Sequence, residues 1–249
     1  MIIAEIGLNH LGDNDYLMEY VDELVSSSVD AVTLQVREEE FYNNTDFPNL
    51  VIPMNAYVTV SKIIKDSGKK FGIALSNLNY VSFFDGIVDF YKILSKDLGN
   101  DEFVSKFINV VDKPIFISTG LSSYEEIGSF LRKIDNEKKR NINLIHTRLS
   151  NKAEDTNLKA IERMKSSFDV PIAFGNHCQN PFVTYAAIAF EPSSIFLYVK
   201  GQRNDRHPDE DHAISLRKIA NFCENINEIK SSIGTGNKQK TKNIIRGQK

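Results

Sequence analysis

Eight short runs of apolar, mostly β-branched or aromatic residues recur along the chain, and segments with helical periodicity lie between them. Successive positions within each run are apolar, which is typical of strands covered on both faces. Strands that alternate with helices in this way predict a parallel sheet with helices packed against it. The predicted strands are 2–6, 31–36, 71–75, 90–94, 115–118, 142–146, 170–174 and 194–199.

The intervening segments carry apolar residues three or four positions apart. In segment 16–27, for example, Leu17, Tyr20, Val21 and Leu24 fall on one helical face. The predicted helices are 16–27, 56–66, 101–110, 123–133, 156–168, 181–190 and 214–229, with a short helix in the aromatic connection 79–87.

Eight strand–helix units in 249 residues favour a closed barrel, because a (β/α)8 barrel typically needs about 250 residues. The alternative is an open, doubly wound sheet. A glycine fingerprint after the first strand would favour that alternative, and Gly7 followed by Gly12 does not supply one. We therefore predict a single-domain α/β fold, a TIM barrel over residues 1–230, followed by a polar tail over residues 231–249.

The composition excludes several classes of partner. A formal net charge of −3 without a clustered basic face argues against nucleic acid. No apolar run approaches the ~18 residues of a membrane span. Two cysteines indicate a reducing compartment rather than a disulfide framework, and the first residues run straight into a strand without the pattern of a signal peptide. We expect a cytoplasmic protein.

In a barrel of this kind, functional groups gather at the carboxyl ends of the strands. Cations and hydroxyl groups predominate there, and such a ring suits a phosphate- or carboxylate-bearing substrate. The candidate residues, in chain order, are Glu5, Gln35, Arg37, Asn77, Lys92, Ser95, Ser118, His146, Arg148, Asn176 and His177.

Lys92 lies between two apolar residues of a predicted strand, where an ammonium group requires a partner. It is either a functional group or one half of a structural salt bridge with Glu5. His146 is interpreted as a hydrogen-bonded core residue rather than a ligand. His207 and His212 lie in a charged loop and are expected to be exposed.

Several segments, taken in order, resemble the barrel motifs of the sialic acid (N-acetylneuraminate) synthases. They are AEIGLNHLGD, DAVTLQ, FYKILSKDL, KPIFISTGLSSYEEI and DEDHAISL. The resemblance extends from Ile3 to about Gly234. In that family a TIM barrel precedes a small antifreeze-like domain, and this chain stops about where the linker to that domain would begin. The chain is therefore identified as a divergent, barrel-only member.

The resemblance implies an activity and a set of residue roles. Family members condense phosphoenolpyruvate with an N-acetylated hexosamine to form nonulosonic acids, using a divalent metal such as Mn or Mg. By this analogy Lys92, Ser95 and Ser118 hold phosphoenolpyruvate. Gln35 and Asp211 contact the sugar, Glu5 assists proton transfer, and His177 binds the metal.

The sequence also departs from the family pattern. Thr33 stands where a lysine usually contacts phosphoenolpyruvate, and Asn77 stands where proline is common. Asn176 replaces the aspartate of a Ser-Asp-His motif, and Arg148 replaces an asparagine.

Strand eight should carry an inward glutamate followed by the second metal-binding histidine. Leu197 and Val199 occupy those places and are expected to face the lumen. Neither side chain can coordinate a cation, so His177 alone cannot form the family's metal site.

Three functions remain open at this point. The first is a divergent synthase that joins phosphoenolpyruvate to an amino-sugar substrate in the biosynthesis of cell-surface glycans. The second is a non-catalytic homologue that binds a sugar, a phosphate or a partner synthase. The third is an aldolase that forms a Schiff base on Lys92. A homodimer built from barrels alone is the expected assembly.

Overall fold

The computed structural model describes residues 1–47 and 49–238, and it contains a closed barrel of eight parallel strands. Each strand is hydrogen-bonded to the next, and β8 pairs with β1 to close the sheet. The predicted (β/α)8 barrel is thereby confirmed. The strands are β1 (Ile2–Gly7), β2 (Ala31–Val36), β3 (Lys70–Leu75), β4 (Phe90–Ile93), β5 (Ile115–Ser118), β6 (Ile142–His146), β7 (Ile172–Gly175), β8 (Ile195–Lys200) and a short β9 (Ile214–Ser215) beside β8.

Helices fill the connections. They are α1 (Asn14–Ser26), α2 (Glu39–Asn44), α3 (Met54–Asp66), α4 (Val81–Asp85), α5 (Asp101–Val110), α6 (Tyr124–Arg132), α7 (Asn136–Lys139), α8 (Lys159–Ser167), α9 (Phe182–Ile188) and α10 (Leu216–Ile233), with 3-10 turns at Leu78–Tyr80 and Ala153–Asp155. The sequence did not predict α2, α7 or β9. Neither α2 nor α7 buries a residue, so neither has the apolar stripe that makes a helix visible in sequence.

Two apolar layers hold the barrel together. The larger one lies between the strands and the surrounding helices. The smaller one fills the lumen, and seven of the eight barrel strands each contribute one residue to it. Its members are Ile3, Ala31, Phe90, Phe116, Ile145, Ala173 and Phe196. On β3 the corresponding residue is Gly72, where a Cβ atom would overlap the ring of Phe90. The missing side chain of β3 therefore makes room for an aromatic ring from its neighbour.

Strand β8 corrects the sequence analysis. Phe196 belongs to the lumen layer, whereas Leu197 and Val199 are buried in the layer that faces the helices. The prediction that Leu197 and Val199 face the lumen is wrong. Both faces of this strand are apolar, so its composition does not reveal which residues point into the lumen and which point towards the helices. In the structure Tyr198, two residues after Phe196, lies on the lumen face.

Two residues beyond the apolar lumen layer, towards the carboxyl ends of the strands, the inward positions become polar. Glu5, Thr33, Lys92, Ser118 and Tyr198 are all buried there. Since β1 pairs with both β2 and β8, Glu5 lies level with Thr33 on one side and with Tyr198 on the other. This polar layer forms the floor of the barrel mouth.

The predicted tail begins within a helix, because α10 continues to Ile233. Residues 239–249 of that tail lie outside the described residues. In the part of the chain that the structure describes, no helix combines the length and the hydropathy needed to cross a membrane.

Gly12, in the loop after β1, provides a test of how this loop packs. Its φ is +72°, and a Cβ atom there would overlap the carbonyl oxygen of Asn49. We expect Gly12→Ala to lower the free energy of unfolding by about 3 kcal/mol, because it adds a backbone clash to an unfavourable φ. Urea denaturation measures the effect.

The matched control is Gly68→Ala. Gly68 also has a positive φ, +81°, but nothing lies within 4 Å of its added Cβ. Conformational strain alone should cost about 1 kcal/mol there. Equal losses for the two variants would show that the contact between Gly12 and Asn49 is unimportant.

Candidate functional site at the barrel mouth

A buried ion pair lies at the floor of the mouth. The ammonium group of Lys92 donates to the Glu5 carboxylate, and both side chains are about 95% buried. Lys92 also lies 3.4 Å from the hydroxyl oxygen of Tyr198 and 5.2 Å from the centre of the Phe196 ring. Strands on opposite sides of the barrel, β1 and β4, are thus joined across the lumen. The structure shows the pairing of Glu5 with Lys92, which the sequence left as one of two alternatives.

Three aromatic side chains cover one side of this pair. The ring centres of His177 and His212 lie 4.6 Å apart, and each ring also packs against Tyr198. His177 follows β7, and His212 comes from the long loop after β8. The prediction that His207 and His212 are exposed is wrong. Only 10% of the His212 side chain is accessible, and buried His207 is 2.7 Å from the Tyr16 hydroxyl oxygen.

Burial keeps both histidines of this cluster neutral. Desolvation, followed by repulsion from His212 and Lys92, lowers the pKa of His177 to about 3. The pKa of His212 falls to about 4, again mainly through desolvation. Desolvation raises the pKa of the Tyr198 hydroxyl, and the charge of Glu5 raises it further, so Tyr198 is a protonated donor at neutral pH. The mouth therefore combines one ion pair with neutral rings and a phenol.

Asp209 completes this side of the mouth. Its backbone N–H donates to the side-chain oxygen of Asn9, 3.1 Å away, and Asn9 is itself bonded to the backbone of Val199. Desolvation and the nearby charge of Glu5 raise the pKa of Asp209 to about 7, against an opposing effect of Lys92. A carboxyl group with this pKa can donate or accept a proton near neutral pH.

Hydroxyl groups line the opposite side. Ser95 and Ser118, which end β4 and β5, are both buried. The Ser95 hydroxyl accepts a hydrogen bond of 3.1 Å from the backbone N–H of Gly120. A Cβ atom on Gly120 would lie 3.0 Å from Ser95 Oγ and 3.1 Å from Thr147 Cγ2. The glycine therefore permits a close approach of three strand ends, and it brings two predicted phosphate contacts into one region.

Other predicted residues are occupied by local contacts. Arg37 forms two hydrogen bonds of 3.1 Å with Glu38 and stacks on Phe41. Glu38 also pairs with Lys96. Partial burial of Glu38 opposes ionisation, but the hydrogen bonds from Arg37 and Lys96 outweigh it and hold its pKa at about 2. This network belongs to the rim after β2 and β4.

The remaining candidates lie at the periphery. Asn77 accepts a hydrogen bond from the backbone N–H of Asn79. The side-chain amide of Asn176 donates to the carbonyl oxygen of Cys178 and accepts from its backbone N–H. Asp211 is exposed and accepts from Asn151. His146 is buried, and its Nε2 atom lies 2.9 Å from the backbone carbonyl oxygen of Thr156, as predicted for a hydrogen-bonded core residue. Arg148 is exposed. The Oε1 atom of Gln35 lies 3.9 Å from the position that a Cβ atom on Gly7 would occupy.

Some buried polar atoms in the mouth have no protein partner. Within the described residues, Glu5 Oε2, His212 Nε2 and Thr147 Oγ1 are buried without a hydrogen bond. Burying such an atom costs about 1–3 kcal/mol unless a ligand or water satisfies it. All three belong to the side chains that surround the mouth, so this region is where a bound molecule would find polar partners.

The side chains present do not fit the metal site that the resemblance implies. Within residues 1–47 and 49–238, no group of three or more histidine, cysteine, aspartate or glutamate side chains is placed to hold an ion. Val199, expected in place of the second ligand, faces the helices. His177 lies beside His212 and Tyr198 instead.

The sequence analysis missed Tyr198, His212 and Asp209. The alternation of Phe196 and Tyr198 was a usable signal, because pairing strand eight with strand one places Tyr198 level with Glu5. Asp209 and His212 lie in the motif DEDHAISL, from which the sequence analysis selected only Asp211. Which of its side chains reach the mouth is set by contacts of this loop with Asn9 and Tyr16.

The buried ion pair can be tested by a double-mutant cycle. Lys92→Met leaves the Glu5 carboxylate uncompensated and should lower the free energy of unfolding by about 3–5 kcal/mol. The double variant Glu5→Gln/Lys92→Met removes both charges and should recover most of that loss. Urea denaturation at pH 7 measures the two single variants, Lys92→Met and Glu5→Gln, and the double variant. Additive losses in the double variant would contradict the pairing.

The neutral histidines predict a pH dependence of stability. Below pH 6.5 the unfolded chain protonates His177 and His212, whereas the folded chain does not until pH falls to about 3 and 4. The free energy of unfolding should therefore fall as pH drops from 6.5 to about 4, by up to ~1.4 kcal/mol per pH unit for each group. His177→Gln should reduce this slope by the contribution of one proton, up to ~1.4 kcal/mol per pH unit. Urea denaturation between pH 4.5 and 8 measures the slope. An unchanged slope would show that His177 is protonated in the folded protein.

Comparisons with known proteins agree with this architecture. An uncharacterized protein of Methanocaldococcus jannaschii is 28% identical over 246 residues, covering 95% of this chain and 73% of that protein. The N,N'-diacetyllegionaminic acid synthase of Campylobacter jejuni is 26% identical over 117 residues, covering 44% of this chain and 35% of the synthase.

Solved structures show the same fold. The N-acetylneuraminic acid synthetase of Leptospira borgpetersenii superposes with a TM-score of 0.86 at 23% identity, covering 97% of this chain and 87% of that one. A truncated 3-deoxy-D-arabino-heptulosonate 7-phosphate synthase of Thermotoga maritima gives 0.74 at 14% identity, with 94% and 87% covered. The model of the NeuB family matches residues 20–238. The chain belongs to the NeuB family.

Proposed function

We propose that this protein condenses phosphoenolpyruvate with an N-acylated hexosamine-type sugar, as a divergent nonulosonic acid synthase acting in the cytoplasm. The observation that supports the proposal best is the Glu5–Lys92 pair in the mouth of a NeuB-family barrel, next to hydroxyl groups and an unsatisfied carboxylate oxygen. Because apolar side chains of similar volume in the same place stabilise a fold equally well, buried ion pairs contribute little to stability. Their presence at the catalytic end of a barrel favours a functional role.

The side chains divide into two groups that suit the two substrates. Ser95 and Ser118 form a hydroxyl-bearing wall suited to the phosphate of the enol substrate, and the backbone N–H of Gly120 holds the Ser95 hydroxyl in place. On the other side, Tyr198 and Asp209 can deliver a proton. As the new carbon–carbon bond forms, the aldehyde oxygen of the acceptor gains negative charge and needs such a donor.

Glu5 and Lys92 lie between these walls. Glu5 keeps one free carboxylate oxygen for proton transfer, and Lys92 supplies positive charge close to the reacting atoms. The other oxygen of Glu5 holds Lys92 in position. We propose that Asp209 and Tyr198 take over the polarisation of the acceptor carbonyl, so that turnover needs no divalent metal.

The direct test measures phosphate release from phosphoenolpyruvate in the presence of N-acetylmannosamine or a related amino sugar. We expect release that depends on the sugar and that persists in EDTA. Ser118→Ala and Asp209→Asn should each lower kcat/KM by about a hundredfold or more. Arg140→Gln, a substitution of an exposed arginine, is the matched control and should leave the rate unchanged.

Other outcomes would favour the alternatives. Binding of phosphoenolpyruvate in calorimetry without turnover of any amino sugar would favour a non-catalytic homologue. Borohydride trapping of a keto acid on Lys92 would favour a Schiff-base aldolase. The pairing of Lys92 with Glu5 argues against that reaction, because a nucleophilic amine would first have to lose this contact.

A further inference from the structure

A cleft outside the lumen lies between the ends of β5 and β6 and the starts of α6 and α8. Its volume is about 310 Å³, which falls at the lower end of the range of small-molecule pockets, about 300–1,000 Å³. Among the described residues that line it are Arg148, Lys159 and Arg163, and none of Glu5, Lys92 or Tyr198. The cleft therefore shares Thr147 with the edge of the mouth but contains none of the side chains of the ion pair.

The lysine and arginine side chains that line the cleft are not balanced by acidic ones. Arg148 follows β6, and Lys159 and Arg163 lie four residues apart on α8, so their side chains share one helical face. Within residues 1–47 and 49–238, no carboxylate lies within 4 Å of these three cations, and no aspartate or glutamate lines the cleft. Elsewhere on the surface, cations such as Lys96 and Arg203 are paired. A chain with a net charge of −3 thus concentrates uncompensated positive charge here.

Stacking contacts hold one of these cations in place. The guanidinium group of Arg163 lies 4.3 Å from the centre of the Tyr124 ring, and Tyr124 stacks on Phe168 at 4.7 Å. Tyr124 is the first residue of α6. The stack therefore fixes the guanidinium group beside the start of that helix, which reduces the entropy lost when it binds a ligand.

Two helices begin at the cleft. Helices α6 and α8 have nine residues each, and both contribute their first residues to the lining. The first N–H groups of a helix lack intrahelical acceptors and, with the helix dipole, attract anions. At the start of α6, Ser123 and Glu126 form a capping box. Helix α8 has no side-chain cap, and the N–H groups of Ala160 and Ile161 donate to preceding backbone carbonyl oxygens, so the contribution of α8 is its dipole.

A buried hydroxyl group adds a further polar partner. Thr147 lines the cleft, is 3% exposed, and its Oγ1 has no hydrogen-bond partner among the described residues. Hydroxyl groups that are buried in this way are normally satisfied. A ligand bearing several acceptor oxygens would satisfy it.

We infer that this cleft binds a phosphorylated small molecule, with the phosphate held by Arg148, Lys159 and Arg163 at the starts of α6 and α8. Three cations and two helix starts match a dianion with three terminal oxygens better than a single carboxylate. The cleft is a second anion site that adjoins the barrel mouth at Thr147, and it does not depend on the reaction proposed above.

The test is calorimetric titration of the purified protein with inorganic phosphate and with glucose 6-phosphate. Both should bind, and the ester should bind more tightly because the cleft has room beyond the phosphate. Arg163→Gln and Lys159→Met should each weaken binding by about tenfold, since each removes a charge-assisted hydrogen bond. The matched controls Arg140→Gln and Lys152→Met remove exposed cations outside the cleft and should change the affinity by less than about twofold.

Ser118→Ala changes the mouth and should leave the binding of both probes intact. Loss of binding in this variant, together with retention in Arg163→Gln, would place the phosphate in the mouth and overturn the inference. Absence of binding by both probes would overturn it as well. Binding of inorganic phosphate without the ester would exclude a phosphorylated small molecule. Thermal melts of each variant distinguish a local loss from a folding defect.

Discussion

A single ion pair inside the barrel lumen constrains much of the rest of this structure. Glu5 and Lys92 are both almost fully buried, and each charge would be costly without the other. Their contact requires β1 and β4 to present these residues at the same height, above an apolar layer that includes Ile3 and Phe90. The register of the sheet and the position of the polar mouth are therefore linked through one pair of side chains.

The side chains that surround this pair are mostly neutral. Tyr198, His177 and His212 form a neutral aromatic wall, where burial lowers the pKa of both imidazoles. Desolvation and, after it, the nearby charge of Glu5 raise the pKa of Asp209 towards neutrality. The mouth therefore contains a protonated phenol, a carboxyl group with a raised pKa and one ammonium group. This arrangement differs from the two-ligand metal site that the sequence resemblance implies.

The cationic cleft between β6 and α8 differs from the mouth in how its positive charges are paired. Its three cations lie at the surface without carboxylate partners among the described residues, whereas Lys92 is neutralised by Glu5. Both regions use residues near the carboxyl ends of the strands, where loops and helix starts expose backbone N–H groups. Positive charge available to an anion is accordingly greater in the cleft than on the floor of the mouth.

The sequence by itself determined the barrel and much of the mouth. Apolar runs of strand length separated by helical stripes determine the eight units, since each element must bury its apolar face. The place of Lys92 inside a strand was enough to require a partner such as Glu5.

Only the tertiary structure decided which side chains of β8 face the lumen. Both faces of that strand are apolar, so Phe196 and Leu197 are equally compatible with the lumen. It also decided the positions of Asp209 and His212, which depend on long-range contacts of their loop with Asn9 and His177. Local patterns determine secondary structure and burial, whereas the side chains that meet at a strand end are determined by register and loop packing across the whole chain.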